Sequence, residues 1–155
     1  MGNKYFPMFV NLEKKKILLI GAGNIALRRA KGVLDFGAVL TVVAPEIATE
    51  FFDLQDQYGK DCLVIIKHGF ESGSIDGFEF VLSATNDRDI DLAVYRECKE
   101  KGIPVNVASD QSLCDFYFPA LVQEDNIVIG VSSGGDDHGK VRRVSAKIRE
   151  WMKEQ

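Results

Sequence analysis

Apolar residues in the first two thirds of the chain fall into short continuous runs at 17–20, 39–44, 62–66, 78–84 and 104–107. Between several of them the spacing changes from strand-like to helical. Residues 24–35 and 87–101 read as helices, the second carrying Ile90, Ala93, Val94 and Cys98 at i, i+3, i+4 and i+8. Residues 46–58 read as a helix with Ile47, Phe51 and Leu54 on one face. Gly37 and Gly102 stand where the first and third helices should end, and Pro45 stops the second strand. A glycine-rich connection, residues 68–77, links the third run to the fourth. Continuous apolar runs alternating with helices predict an α/β domain whose parallel sheet is covered on both faces. Cys62, at the head of the third run, is expected in the core.

The pattern then changes. Residues 116–122 and 126–132 are two strand-like runs with no helix between them, so a hairpin is more natural than another crossover. Val141, Val144, Ile148 and Trp151 or Met152 then form one apolar helical stripe. Two strands and one helix bury themselves poorly and call for a covering surface, for which a second copy of the chain is a good candidate. The expected division is a main domain at 1–112 and a β-plus-helix dimerisation appendage at 113–155.

The first strand runs straight into Gly21-Ala-Gly23-Asn24-Ile25-Ala26 and then a helix. This strand, Gly-x-Gly-x-x-Ala and helix order is how a Rossmann unit sets a pyrophosphate on a helix N-terminus. Gly21 permits the tight turn, Gly23 leaves room for phosphate, and Ala26 lets the helix approach the strand. The motif is weak alone and gains force from its flanking elements.

Composition narrows the field. The chain has 155 residues, 46% of them hydrophobic, and a formal charge of −4, which gives no global case for nucleic acid or an anionic membrane. No apolar run approaches the roughly 20 residues that span a bilayer, and no apolar signal-peptide core is read near the start. Cys62, Cys98 and Cys114 are odd in number and far apart, which fits reduced thiols in a cytoplasmic protein rather than a zinc site or redox pair.

Further candidates lie where open α/β sheets bind ligands, at the carboxyl ends of strands. After the second run, Ala44, Pro45 and Glu46 reach the ribose position. Glu46 has two readings, a ribose ligand or a first-turn acid complementing the helix dipole. No Arg follows to hold a 2′-phosphate, which leans to NAD over NADP. Thr85 and Asn86 follow the fourth strand and can touch a cofactor, while Asn86 or Asp87 can also cap the next helix. Asn106, Ser109 and Asp110 follow the fifth, as substrate contacts or as a turn and cap; pattern alone favours the turn. Ser133, Gly134 and Gly135 precede a final helix bearing Lys140, Arg142, Arg143, Lys147, Arg149 and Lys153. Free amides before a helix and a basic face suit a polyanionic small molecule, although most charge runs are solvated faces. Asp136, Asp137 and His138 read as a solvated loop rather than a metal site.

Taken together, the segments resemble the precorrin-2 dehydrogenase family, the dehydrogenase module of sirohaem synthases. The resemblance rests on Tyr5-Phe-Pro-Met-Phe-Val-Asn-Leu12, Gly21-Ala-Gly-Asn-Ile-Ala-x-Arg-x-Ala30, Gly37-Ala-x-Leu-Thr-Val-Val-Ala-Pro45, Ala84-Thr-Asn-Asp87, Asn106-Val107, Cys114-Asp-Phe-x-Phe-Pro-Ala120 and Val131-Ser-Ser-Gly-Gly135. It covers nearly the whole chain, and the combination is specific where each piece is not. It implies a Rossmann-like homodimer that oxidises precorrin-2 to sirohydrochlorin with NAD⁺, some members also inserting ferrous iron. The substrate's eight carboxylates match the basic last helix. The expected cofactor contacts are Gly21, Gly23, Asn24, Ile25, Ala44, Pro45, Glu46, Thr85 and Asn86. Asn106, Ser133, Gly134 and Arg142 are the expected substrate contacts, and Ser109 and Asp110 the catalytic pair, with no resident metal. The chain departs from the family pattern in having Ser109 where several members carry Asp, and Asp136-Asp-His-Gly-Lys140 in place of a Ser-Pro-containing loop. Many members also continue beyond the position of Gln155. Proton loss to solvent is then expected to suffice, with Ser109 orienting the substrate and Asp110 acting as a cap or weak acceptor. The rival readings are a non-catalytic tetrapyrrole carrier or NAD-sensing partner, and a bare NAD-binding module.

Overall fold

Five of the apolar runs become parallel strands of one sheet in the computed structural model, which describes residues 4–155. They are β1 (Lys16–Ile20), β2 (Val39–Ala44), β3 (Leu63–Lys67), β4 (Phe80–Ser83) and β5 (Val105–Val107), in the order β3-β2-β1-β4-β5. The three helices of this unit are α1 (Asn24–Asp35), α2 (Glu50–Tyr58) and α3 (Arg88–Lys101). The order reverses beside β1, whose neighbours are β2 and β4, and so opens a crevice at the carboxyl ends of those strands. This is the expected Rossmann-like sheet.

Register assigns the faces, because paired residues of parallel strands share a side. Leu18 and Ile20 lie with Val43, Val81, Val105 and Val107, and Val94 and Cys98 of α3 cover them together with Ile75 from the β3–β4 connection. The opposite side, including Leu19, Leu40, Val42 and Leu63, belongs to α1 and α2, which supply Ala26, Ala30, Val33, Phe51 and Leu54 to the core.

Several expectations are corrected. The β3–β4 connection has turns but no helix, so Val64 and Ile66 on edge strand β3 stay exposed, and the sheet is not covered on both faces there. Cys62 is half-buried in a turn before β3 rather than in the core. Strand β3 begins at Leu63 and β4 at Phe80, each one or two residues later than the apolar run. On α3, Ala93 faces solvent, and two acids, Asp91 and Glu97, are buried instead.

The second unit is formed by the N-terminal segment up to Phe9 together with Tyr117–Gln155, so the division falls at Phe116/Tyr117 rather than 112/113. Its strands β6 (Ala120–Glu124) and β7 (Ile127–Val131) pair antiparallel as a hairpin. The loop is only Asp125-Asn126, with Asp125 at φ 50°, a conformation Asp tolerates better than most residues. Residues 116–119, expected in the first of these strands, precede it. Tyr5 stacks on Tyr117 at 3.7 Å between ring centroids. The last helix, α4 (His138–Lys153), splits its expected stripe. Val141, Ser145, Ile148 and Met152 turn inward, whereas Val144 and Trp151 are exposed, Trp151 by 58%.

Candidate functional site

The β1–α1 turn is built around two glycines with different duties. Gly21 has φ +102°, and a Cβ there would stand 2.2 Å from the Ala84 carbonyl oxygen at the end of β4. Only glycine fits, and the turn thereby lies directly against the strand that leads to Thr85. Gly23 is different: a Cβ there would meet no atom within 4 Å. It caps α1 in extended conformation without a side-chain hydrogen bond, and no acid stands in the helix's first turn. The opening amides of α1, around Asn24 and Ile25, therefore face open space with the positive end of the helix dipole behind them. A pyrophosphate fits that cradle. Ala26 is fully buried, as close helix–strand packing requires.

At the carboxyl end of β2, Ala44 is buried, and Pro45 and Glu46 form an exposed bend. Glu46 lies four residues before α2, whose first-turn acids are Glu50 and Asp53. The helix-dipole reading of Glu46 is thus removed, while the ribose reading keeps an accessible carboxylate.

The ends of β4 and β5 enclose an open cleft of about 290 Å³ lined by Thr85, Asn86, Arg88, Asp91 and Ser109. Asp87 is the cap of α3, accepting from the amides of Asp89 at 2.9 Å and Ile90 at 3.3 Å. Asn86 is left exposed at the cleft. Asp91, only 2% exposed, lies behind it. Its Oδ1 accepts from the hydroxyls of Ser83 at 2.6 Å and Thr85 at 2.8 Å, and its Oδ2 accepts from that of Ser109 at 2.6 Å. Sequence reasoning did not single out Asp91. The available signal was a carboxylate at i with Val94 and Cys98 at i+3 and i+7, an acid on the buried side of an amphipathic helix.

Asp110 is held differently. Its Oδ1 accepts from the hydroxyl of Ser112 at 2.6 Å and from its amide at 2.9 Å, capping a single 3₁₀ turn, Gln111–Leu113. Its Oδ2 lies 3.3 Å from the Arg88 guanidinium. The Ser112 hydroxyl first, then the Ser112 amide and Arg88, hold its carboxyl below the usual carboxylate range. Asn106, expected to touch substrate, is buried with its amide committed. It accepts from Arg29 of α1 through Oδ1 and donates through Nδ2 to the Phe116 carbonyl at 2.7 Å. Burial lowers the Arg29 pKa.

In the second unit, several amides of the loop before α4 and of its first turn are bonded to the chain's own side chains. Ser132 Oγ accepts from the Gly134 amide at 3.1 Å, Ser133 Oγ from the Asp137 amide at 3.0 Å, and Asp137 Oδ1 from the Lys140 amide at 2.7 Å. The Gly134 amide, expected to be free for an anion, is thus bonded within the loop, and the Asp137 carboxylate stands at the helix N-cap. Arg142 is exposed on α4. Arg149 donates to the Leu121 carbonyl of β6 at 3.0 Å and is only partly available to the basic face. Among the described residues, no cluster of three or more His, Cys, Asp or Glu side chains could hold a metal ion.

Residues 8–120, which include the Gly21–Ala26 turn and the cleft, match a family described as "Putative NAD(P)-binding". The chain belongs to this NAD(P)-binding family. It is 40% identical over 148 residues to the siroheme synthase of Azotobacter vinelandii, covering 96% of this chain and 31% of that protein. It is 41% identical over 146 residues to the "Probable multifunctional siroheme biosynthesis protein HemA" of Ruminiclostridium josui, covering 94% of this chain and 28% of the relative. The chain thus spans less than a third of these two relatives. The solved structure of "SirC, precorrin-2 dehydrogenase" superposes with a TM-score of 0.79 at 26% identity, over 94% of this chain and 70% of that one. The sheet, the glycine turn and the family agree, and no described helix is long and apolar enough to cross a membrane.

Proposed function

We propose that the chain is an NAD⁺-dependent dehydrogenase that oxidises precorrin-2 to sirohydrochlorin in sirohaem biosynthesis. The observation that carries this reading is the uncapped α1 N-terminus standing beside the cleft at the ends of β4 and β5. Relatives named for sirohaem synthesis and a structural neighbour named precorrin-2 dehydrogenase supply the substrate. The amides of Gly23, Asn24 and Ile25 would hold the pyrophosphate, with Gly21 shaping the turn. Ala44, Pro45 and Glu46 would line the adenosine ribose, and Thr85 and Asn86 the nicotinamide side. The bound dinucleotide supplies a hydride acceptor. The chain's own part is to orient the tetrapyrrole over the cleft, where Ser109 faces solvent and Asp110 is already occupied as a cap and ion pair. An accessible Glu46 and the lack of an Arg just after β2 support NAD⁺ over NADP⁺.

The active form we propose is a homodimer built through the second unit. Its hairpin and single helix leave Phe6, Met8, Phe9, Ile127, Val144 and Trp151 exposed, more apolar side chains than so small a unit usually shows to water. Arg142 and its basic neighbours on α4 would attract substrate carboxylates. The three free thiols fit a cytoplasmic setting.

Absorbance of NADH on mixing the protein with NAD⁺ and precorrin-2 tests the assignment, with a parallel arm containing ferrous iron. NADH and sirohydrochlorin together support it, and sirohaem in the iron arm adds chelation. Tight tetrapyrrole binding without NADH would favour the carrier reading instead.

A further inference from the structure

Resting on the dehydrogenase reading, we propose that Asp91 is a positioning residue and proton acceptor that works through Ser109. Dehydrogenation removes two hydrogens from the substrate. One would leave as a hydride, for which a bound nicotinamide dinucleotide would be the acceptor, and the other must leave as a proton. As the substrate's bond to that hydrogen breaks, its electrons stay with the macrocycle and the proton passes to Ser109 Oγ. The hydroxyl proton of Ser109 passes at the same time to Asp91 Oδ2. Asp91 ends neutral and returns its proton to solvent through Ser109 when the product departs. Charge and atoms balance with no further reactant.

Three observations carry this assignment. First, the Ser109–Asp91 separation of 2.6 Å is in the range of a hydrogen bond to an ionised oxygen, and among the described residues Ser109 alone bonds Oδ2. With its proton turned toward Asp91, Ser109 can offer only lone pairs to the cleft. Second, Asp91 is nearly inaccessible, and its partners are three hydroxyls with no ion pair among the described residues. A neutral carboxyl can keep the same hydroxyl partners, so accepting a proton does not dismantle the cluster. Third, the exposed alternative is disabled: Asp110 is held below the usual carboxylate range by Ser112 and Arg88, which makes it a poor acceptor. The carboxylate next to Ser109 in sequence serves as a cap, and the one 18 residues earlier serves the hydroxyl. Ser83 and Thr85 hold Oδ1 and aim Oδ2 at Ser109.

The test measures NADH formation, NAD⁺ affinity and melting temperature for Asp91→Asn, Ser109→Ala and their combination. Asparagine keeps one acceptor but presents an amide donor to Ser109, which reverses the polarity of the bond. Each single change should lower kcat by roughly 10²–10⁴-fold, the range of a lost proton acceptor, with KM and NAD⁺ affinity within about twofold. The combination should lose no more than either change alone, because the two groups act as one unit. Ser109→Asp placed on Asp91→Asn should recover at least about tenfold of the loss, since the acceptor then stands at the cleft itself. A purely structural Asp91 would give no such rescue. Losses that multiply, a missing rescue, or a folded Asp91→Asn within tenfold of wild type would overturn the proposal. Should Asp91→Asn not fold, the surface change Ser109→Ala decides: kcat within tenfold of wild type overturns it. No NADH from the wild-type protein would instead sink the substrate reading, and this proposal with it, a pattern distinct from active wild type with active variants.

Discussion

The chain has two glycine-rich turns that lead into helices, and they look alike in sequence. Gly21-Ala-Gly23 opens α1, and Gly134-Gly135 stands shortly before α4. At the first, nothing caps the helix, no acid lies in its first turn, and a side chain at Gly23 would meet open space. At the second, Ser132, Ser133 and Asp137 accept from the amides of Gly134, Asp137 and Lys140, and the Asp137 carboxylate stands at the helix N-cap. Glycine before a helix signals a turn. Anion binding depends on whether the freed amides have been given to the chain's own side chains.

The comparison breaks most severely at Gly21. Gly21→Ala combines a left-handed φ with a clash against the Ala84 carbonyl. Chemical denaturation should show a loss of more than about 3 kcal/mol, or no folded protein. Gly23→Asp is the sharper change, because it makes the α1 turn resemble the one before α4. With φ −89° and open space around the new side chain, the fold should survive. NAD⁺ affinity should fall by at least about 100-fold in a calorimetric titration, which corresponds to about 2.7 kcal/mol. The reciprocal change, Asp137→Ala, removes a cap worth about 1 kcal/mol and should lower the melting temperature while leaving NAD⁺ affinity as it was.

The smallest effect is expected at Asp110. Asp110→Asn should lose less than about tenfold in NADH formation, below the range of a lost general base. Its stability deficit should depend on pH in a definite direction. The folded protein holds this carboxyl below its ordinary range, so its stabilisation is present above the unfolded-state pKa and fades as pH falls through the folded-state value. Melting curves of wild type and variant should therefore differ at neutral pH and converge in acid. A deficit that persists unchanged at low pH would show that the cap and Arg88 do not stabilise the ionised form.

Most of the sheet and the α1 turn were legible because burial on both faces leaves continuous apolar runs, and a strand-turn-helix order carries its own signature. The same burial hid the side taken by Asn106. A strand without alternation does not announce its parity, and register alone turned this residue toward Arg29 rather than the cleft. Asp91 was missed for a related reason. Its partners Ser83, Thr85 and Ser109 come from two different strand ends, and no local spacing links them. The caps of α4 were hidden because Ser and Asp can either present a loop to a ligand or satisfy it internally, and only geometry separates the two. The later start of α2 left Glu46 in a bend, which the apolar positions Phe51 and Leu54 could not reveal.

The central claim, that the α1 turn and not the α4 turn receives the dinucleotide, is tested most directly by backbone amide NMR during titration with NAD⁺. The account predicts saturable shifts at Gly21, Gly23, Asn24 and Ile25, with Thr85 and Asn86 following, while Gly134, Asp137 and Lys140 stay silent. Shifts centred on Gly134 to Lys140 with the Gly21–Ile25 amides unmoved would contradict it.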